Sequence, residues 1–196
     1  MSGLHDRPDD AATDLTPEER EGLIPAHITL REELNEVEQQ NILAATLWAF
    51  ARKRAPTSEA FAKGLHKRMF AKVWKWAGTY RKNGKNIGVD ANLISQRLYE
   101  TLEQYRYWID HLEIYPADEL AVRFHHALVA IHPFPNGNGR WSRLMADLLV
   151  VQRGRPRFSW GGRDLSSKSG MRATYIAALK SADNHDFAPL LVFARA

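Results

Sequence analysis

Apolar residues recur at helical spacing along almost the whole chain, a pattern that predicts a mainly α-helical protein. Thr16-Pro17-Glu18-Glu19 combines a threonine cap, a proline at the first helical position and a glutamate at the third, which predicts a short helix; Thr29 to Glu32 repeats the capping pattern. From Leu30 a long helix is expected to about Arg54, ended by Pro56. A second starts at Thr57 or Ser58 and lines Phe61, Leu65, Met69 and Val73 along one face. Helical spacing returns from Ile94 to about Leu112. After Pro116, Leu120, Ala121, Phe124, Ala127, Leu128 and Ile131 form a stripe that stops at His132-Pro133. Trp141, Leu144, Met145, Leu148 and Leu149 define a buried helix ended by Gly154 and Pro156, and two helices, 171–181 and 187–194, close the chain.

One stretch breaks the helical pattern. In WAGTYRKNGKNIGVD, residues 76–90, Asn83-Gly84 sits between short polar and β-prone runs, a hairpin signal. The expectation is a small β-flap over residues 79–90.

Composition narrows the class. A chain of 196 residues suits one domain with one core, and 44% hydrophobic residues with six tryptophans exceed what a disordered chain carries. The first fifteen or so residues are polar enough to be mobile. There is no cysteine, which excludes disulfides, thiolate metal sites and a cysteine nucleophile. No basic leader precedes an apolar run and no stretch approaches the roughly 20 apolar residues of a membrane span, so a cytoplasmic protein without a membrane partner is expected. The formal charge of +4 permits anionic partners without naming one. The basic clusters at 51–55 and 153–157 follow predicted helix ends, where cations complement the dipole. Without a helix-turn-helix or an aromatic stacking motif they do not argue for nucleic acid.

The window HPFPNGNGR, residues 132–140, carries the chemistry. Gly137, Asn138 and Gly139 at a helix start offer unpaired backbone N–H groups and let an anion approach closely. Arg140 and Arg143 lie on nearly one face of that helix, and guanidinium forks match phosphate oxygens. His132, at the end of the preceding helix, has an ordinary pKa of about 6.5 that suits it to take a proton from a hydroxyl. A lone histidine there would read as a helix cap beside solvated arginines; the concentration of polar and glycine positions favours the chemical reading. A Walker loop is rejected because Arg140-Trp141 follows Gly139, and a dinucleotide fingerprint because Ser142 stands where its last glycine belongs. A metal site from His125, His126 and His132 fails because adjacent helical histidines diverge.

The window resembles the signature of the Fic (Fic/Doc) family, H-x-F-x-[DE]-G-N-G-R-x-x-R, at His132, Phe134, Gly137, Asn138, Gly139, Arg140 and Arg143. WAGTYR, VRFHHALVAIHPF and YIAALKSADNHDFAPLLVFA also look like Fic segments, so the likeness covers about residues 29–194. LIPAHITLREELNEVEQQNI and KNIGVD are similar to the bacterial subgroup called mobile mystery protein B. The resemblance implies an all-α Fic-fold helical bundle with a β-hairpin flap over residues 29–196, behind a partly mobile N-terminal extension, 1–28. It also implies transfer of AMP from ATP to a Ser, Thr or Tyr hydroxyl of a target protein, with Mg2+ or Mn2+ as cofactor. Carried over by position, His132 is the base, and Asn138 with the Gly137 and Gly139 amides holds the α- and β-phosphates. Arg140 contacts the β-phosphate, Arg143 the γ-phosphate, and Phe134 anchors the loop. Lys85, Asn86, Ile87, Gly88 and Val89 of the flap would pair with the target by strand addition.

Asn136 stands where the family has its metal-binding acid, and a neutral amide lowers magnesium affinity and activity unless another carboxylate, such as Asp147, substitutes. Thr29 and Glu33 have the spacing of the family's inhibitory [ST]-x-x-x-E-[GN] pattern, with Leu34 departing from it; the other reading is a helix cap and a solvated acid. The alternatives within the resemblance are transfer of another phosphate-containing group, or a degenerate Fic domain that binds nucleotide or a partner without catalysis. The subgroup implies an antitoxin, a companion DNA-binding regulator.

Overall fold

The computed structural model describes residues 16–25, 27, 28, 31–112, 114–162 and 170–196. Among them the helices are α1 Pro17–Arg20, α2 Arg31–Phe50, α3 Glu59–Phe70, α4 Ile94–His111, α5 Ala117–Ile131, α6 Asn138–Gln152, α7 Gly170–Asp183 and α8 Ala188–Arg195, with a 3-10 turn at Ala91–Leu93. Thr29 and Leu30 lie outside the described residues, and α2 ends at Phe50 rather than near Arg54. The predicted capping box forms at α1, where Thr16 Oγ1 accepts from the Glu19 N–H at 3.3 Å and Glu19 Oε2 accepts from the Thr16 N–H at 2.8 Å. Ser58 caps α3 through the Phe61 N–H.

The apolar stripes read from the sequence meet one another. α5 packs along α6, α2 along α3 and α7 along α8. Leu120, Phe124 and Leu128 of α5 and Trp141, Met145 and Leu149 of α6 are buried in one core with Leu65, Met69 and Phe70 of α3. Each such side chain contributes about 1.5–3 kcal/mol relative to exposure, so α5 and α6 are the best-anchored pair, and the HPFPNGNGR loop joins them. No described helix is long and apolar enough to cross a membrane.

The expected β-flap is corrected. No strand occurs among the described residues; an isolated bridge links Leu23 to Trp74. Residues 81–89 instead form a loop whose two ends bond through their backbone N–H groups to the chain around His132. The Arg81 N–H donates to Pro133 O at 3.0 Å and the Val89 N–H to Ile131 O at 3.3 Å. The buried Arg81 guanidinium occupies the place of a cross-strand ladder. Its Nε donates to His132 O at 2.7 Å, its Nη1 to Asn83 O at 2.9 Å, and its Nη2 to Val89 O and Ile131 O. A side chain that satisfies carbonyls from both limbs leaves no ladder to form.

Candidate active site

The loop between α5 and α6 turns on two left-handed residues. His132 ends α5 at φ 52°, and Gly137 precedes α6 at φ 79°. A non-glycine residue in this conformation costs about 1–2 kcal/mol, which the surrounding packing must offset. Gly137 has no alternative, since a Cβ there would meet the Phe70 ring at 2.5 Å.

Packing fixes the loop between those turns. Phe134 is fully buried, stacked on His66 with ring centroids 3.7 Å apart and edge-on to Trp141 at 5.0 Å. His66 bonds on both sides of its ring: Nδ1 accepts the Gly78 N–H at 3.0 Å, so Nε2 carries the proton donated to Asn136 O, also at 3.0 Å. Burial pushes the His66 pKa down to about 3, with the Arg140 charge adding to the effect, so the ring is neutral. The Asn138 side chain turns back on Phe134, with Oδ1 accepting from the Phe134 N–H at 2.9 Å and Nδ2 donating to Phe134 O at 2.8 Å. It clamps the loop, so a phosphate would meet the Asn138 backbone N–H rather than the amide group given that role above.

His132 is 5% exposed. Burial pushes its pKa down to about 4, helped by the Arg81 and Lys85 charges and opposed by a hydrogen bond with the Val129 backbone. The imidazole is therefore neutral at neutral pH, the state a proton acceptor needs. Gly88 lies flat against it: at φ 100°, a Cβ would sit 2.7 Å from His132 Cβ.

The first helical bond of α6 runs from the Trp141 N–H to Gly137 O at 3.0 Å. The Asn138, Gly139 and Arg140 N–H groups precede it at the positive end of the helix dipole. Beside Gly139 an added Cβ would make only an ordinary van der Waals contact, with Tyr175 Oη at 3.8 Å. Arg140 lies over the Phe70 ring and donates through Nη1 to Glu38 Oε2 at 2.6 Å. Arg143 donates through Nε to Gly139 O at 3.2 Å and lies 5.7 Å from the Tyr175 ring centroid.

Asn136 points its Oδ1 at the Gly137 N–H, 2.6 Å away. The candidate metal oxygen is thus already an acceptor for one of the anion-hole amides. No group of three or more His, Cys, Asp or Glu among the described residues could hold a metal ion. Asp147 cannot substitute, because it is buried and accepts from Arg157 at 3.1 Å, the Phe158 N–H at 3.3 Å and Trp160 Nε1 at 3.0 Å. A magnesium ion at this loop would meet a neutral amide oxygen at Asn136 and no available carboxylate at Asp147.

Of the other expected residues, Lys85 is drawn inward, its side chain 4% exposed and paired with Glu19 Oε2 at 2.5 Å, while Asn86, Ile87 and Gly88 are exposed. Glu33 is exposed on α2, and no ion pair joins it to Arg143; Thr29 lies outside the described residues. Among the described side chains of α2, Glu38 reaches the motif, and its Oε1 also accepts from Trp74 Nε1 at 2.6 Å. Positions 33 and 38 are separated by roughly 140° around the helix, so one can face the loop only if the other faces away. Sequence reasoning also missed His66 and Arg81. His66 sits one residue after Leu65 in an apolar stripe and reads as core; Arg81 announced itself only as part of WAGTYR.

These parts define a helical domain with a buried imidazole and an anion-receptive helix start on one short loop. Residues 56–150 match the family model Fic/DOC family. A protein adenylyltransferase Fic from Drosophila virilis is 28% identical over 133 residues, 66% of this chain and 26% of its own length. The Drosophila melanogaster protein of the same name is 28% identical over 132 residues, 66% and 25%. The chain thus spans about a quarter of the length of these curated relatives. The N-terminal FIC domain of Bep8 from Bartonella sp. 1-1C superposes at TM-score 0.68 with 17% identity, covering 90% of this chain and 95% of that one. BepC from Bartonella tribocorum, with bound AMPPNP, gives 0.65 with 18% identity, covering 92% and 97%. These structural likenesses show the fold.

Proposed function

We propose that this protein transfers AMP from ATP to a Ser, Thr or Tyr hydroxyl of a target protein. The observation that carries the reading is the neutral, buried His132 on the same loop as the anion-receptive start of α6. His132 takes the hydroxyl proton as the oxygen bonds to the α-phosphorus; the bond from that phosphorus to its bridging oxygen breaks and pyrophosphate leaves. The Asn138, Gly139 and Arg140 N–H groups, with the Arg140 and Arg143 guanidiniums, balance the phosphate charge. Phosphates beside His132 favour the imidazolium, which raises its basicity once the donor is bound. The exposed Asn86, Ile87 and Gly88 would meet the target chain. Glu38 competes with phosphate for Arg140 and holds activity down. The named adenylyltransferase relatives support this reading. The likeness to mobile mystery protein B supports a bacterial, cytoplasmic protein with an antitoxin partner.

The test is incubation with α-labelled ATP and cell lysate, comparing wild type with His132→Ala. Labelled protein is expected only with wild type; label that persists in His132→Ala removes His132 as the base. Label transferred from γ-labelled but not α-labelled ATP would assign phosphate transfer instead.

A second reading, nucleotide binding without catalysis, is favoured by one observation: the Asn136 amide closes on the Gly137 N–H and brings no charge. Calorimetric ATP binding without label transfer, in Asn136→Asp and Glu38→Gln as well as wild type, would select it.

A further inference from the structure

Between α2 and α6 lies a cavity of about 220 Å³, lined by Gln39 and Thr46 of α2 and by Arg140, Arg143, Asp147 and Arg157. Arg140 and Arg143 were placed by the phosphate motif; Arg157, on the segment after α6, belongs to no part of it. Its guanidinium is held in position from two sides. Nε and Nη2 donate to Asp147 Oδ2 at 3.4 and 3.1 Å, and the group lies over the Phe50 ring, 4.7 Å from its centroid. Asp147 is itself fixed by Trp160 and the Phe158 N–H, with a side chain only 4% exposed, whereas that of Arg157 is 48% exposed. Among the described residues the Nη1 hydrogens of Arg157 make no hydrogen bond, nor do Nε and Nη2 of Arg140, whose Nη1 is taken by Glu38. Thr46 Oγ1 donates to Ile42 O at 2.8 Å and keeps its acceptor lone pairs, which leaves the guanidiniums as the strong donors of the wall.

We infer that Arg157, with Arg140 and Arg143, forms an anion subsite that takes a phosphate group beyond the loop. The inference deepens the phosphate reading above and rests on it. The fixed guanidiniums of Arg140 and Arg157, whose remaining N–H groups face one small space beside Arg143, are a donor set for tetrahedral oxyanions. The volume suits a phosphate or diphosphate end, since sites for whole drug-sized ligands run to about 300–1,000 Å³. Two sources share this chemistry: the terminal phosphate of a nucleoside triphosphate held on the loop, and free pyrophosphate, the leaving group of AMP transfer. Arg157 is then a specificity residue for the number of phosphates.

The experiment is calorimetric titration of wild type, Arg157→Ala and Arg157→Lys with ATP, ADP and inorganic pyrophosphate, alongside thermal unfolding of each protein. Arg157→Ala leaves Asp147 buried without its cation, so Arg157→Lys keeps a charge there while removing the fork. If the donor's tail fills the subsite, both variants bind ATP roughly tenfold more weakly and bind ADP as wild type does. If free pyrophosphate fills it, pyrophosphate binding falls by a similar factor and wild type takes up ATP and pyrophosphate together. Unchanged ATP and pyrophosphate affinities in a folded Arg157→Lys overturn the subsite and leave the transferase reading standing. Wild type that binds pyrophosphate through Arg157 but no nucleotide sinks the transferase reading and keeps the subsite; binding of neither sinks both.

Discussion

Two segments converge on His132, and they are held there by different means. The loop 132–139 is fixed by the core: Phe134 stacks on His66, Asn138 bonds both backbone groups of Phe134, and Gly137 lies under the Phe70 ring. Residues 81–89 are hung from two long cationic side chains, Arg81 on four carbonyls and Lys85 on Glu19, with Lys82, Asn83, Gly84 and 86–88 exposed. Packed aromatic and amide contacts lose much when one member is removed, because buried partners are left unpaired; the Arg81 guanidinium is buried too, but the segment it holds is mostly exposed, so water can partly replace it there. The anion loop should therefore behave as part of the fold, and the neighbouring segment as a part that opens without unfolding the rest.

The largest effect expected is that of Asn138→Ala. The buried Phe134 N–H and C=O both lose their partner, which should cost about 3 kcal/mol and shift the urea midpoint downward. ATP binding should be lost with it, because the amides of the helix start no longer hold their orientation. A loss below about 1 kcal/mol would mean that the clamp does not hold the loop and that the contrast between the two segments is misplaced.

Acidification comes next, because two of the buried imidazoles, His132 and His66, belong to the fixed side. His132 at about 4 and His66 at about 3 bind protons less readily in the folded chain than at the ordinary value near 6.5. Below that value the unfolded chain carries the extra protons. Stability contributed by the neutral rings is complete above about pH 6.5 and falls as pH drops toward 4 and then 3, by about 2 kcal/mol per histidine at pH 5. Denaturation curves at pH 7 and 5 should show this dependence reduced by about 2 kcal/mol in His66→Gln, while His132 and the buried His125, also held well below its ordinary value, still contribute. An equal dependence in wild type and His66→Gln would show that His66 does not titrate against folding.

What the sequence disclosed follows the same division. The helices were legible because each buries one face, and a stripe such as Leu120, Phe124 and Leu128 is a local record of that burial. The anion loop was legible for a similar reason: glycine, asparagine and arginine needed at a helix start must stand next to one another in the chain. The segment 81–89 was misread because Asn83-Gly84 is a local signal, whereas Arg81 acts on carbonyls as many as 51 residues away. Glu33 was chosen by spacing alone; which α2 acid faces Arg140 depends on how the helix is rotated against α6, and only packing sets that rotation. His66 and Asn138 show the same limit, since their partners, Asn136 O and both backbone groups of Phe134, are fixed by the tertiary turn.

Arg81→Ala tests the other side of the contrast. Global stability should fall by about 2 kcal/mol, since the buried His132 carbonyl loses its donor while Ile131 O keeps the Val89 N–H. Amide hydrogen exchange across 82–89 should rise severalfold while α5 and α6 stay protected. The acid limb of the transfer rate should move above its position near pH 4, because the Arg81 charge is one of the causes that hold the His132 pKa down. Exchange rising equally in α6 would mean that the two segments are one cooperative unit.

The smallest effect on stability, and the narrowest test, is Gly139→Ala. Unlike Gly137, this residue is helical and meets nothing nearer than Tyr175 Oη at 3.8 Å, so a methyl group can be accommodated without strain. Stability should stay within about 0.5 kcal/mol of wild type, or rise slightly from the gain in helix propensity. If the space beside Gly139 is where a phosphate approaches the Asn138, Gly139 and Arg140 N–H groups, the same methyl group should weaken ATP binding at least tenfold. A folded Gly139→Ala that binds ATP as wild type does would move the anion away from the helix start and leave its fixed geometry a matter of folding alone.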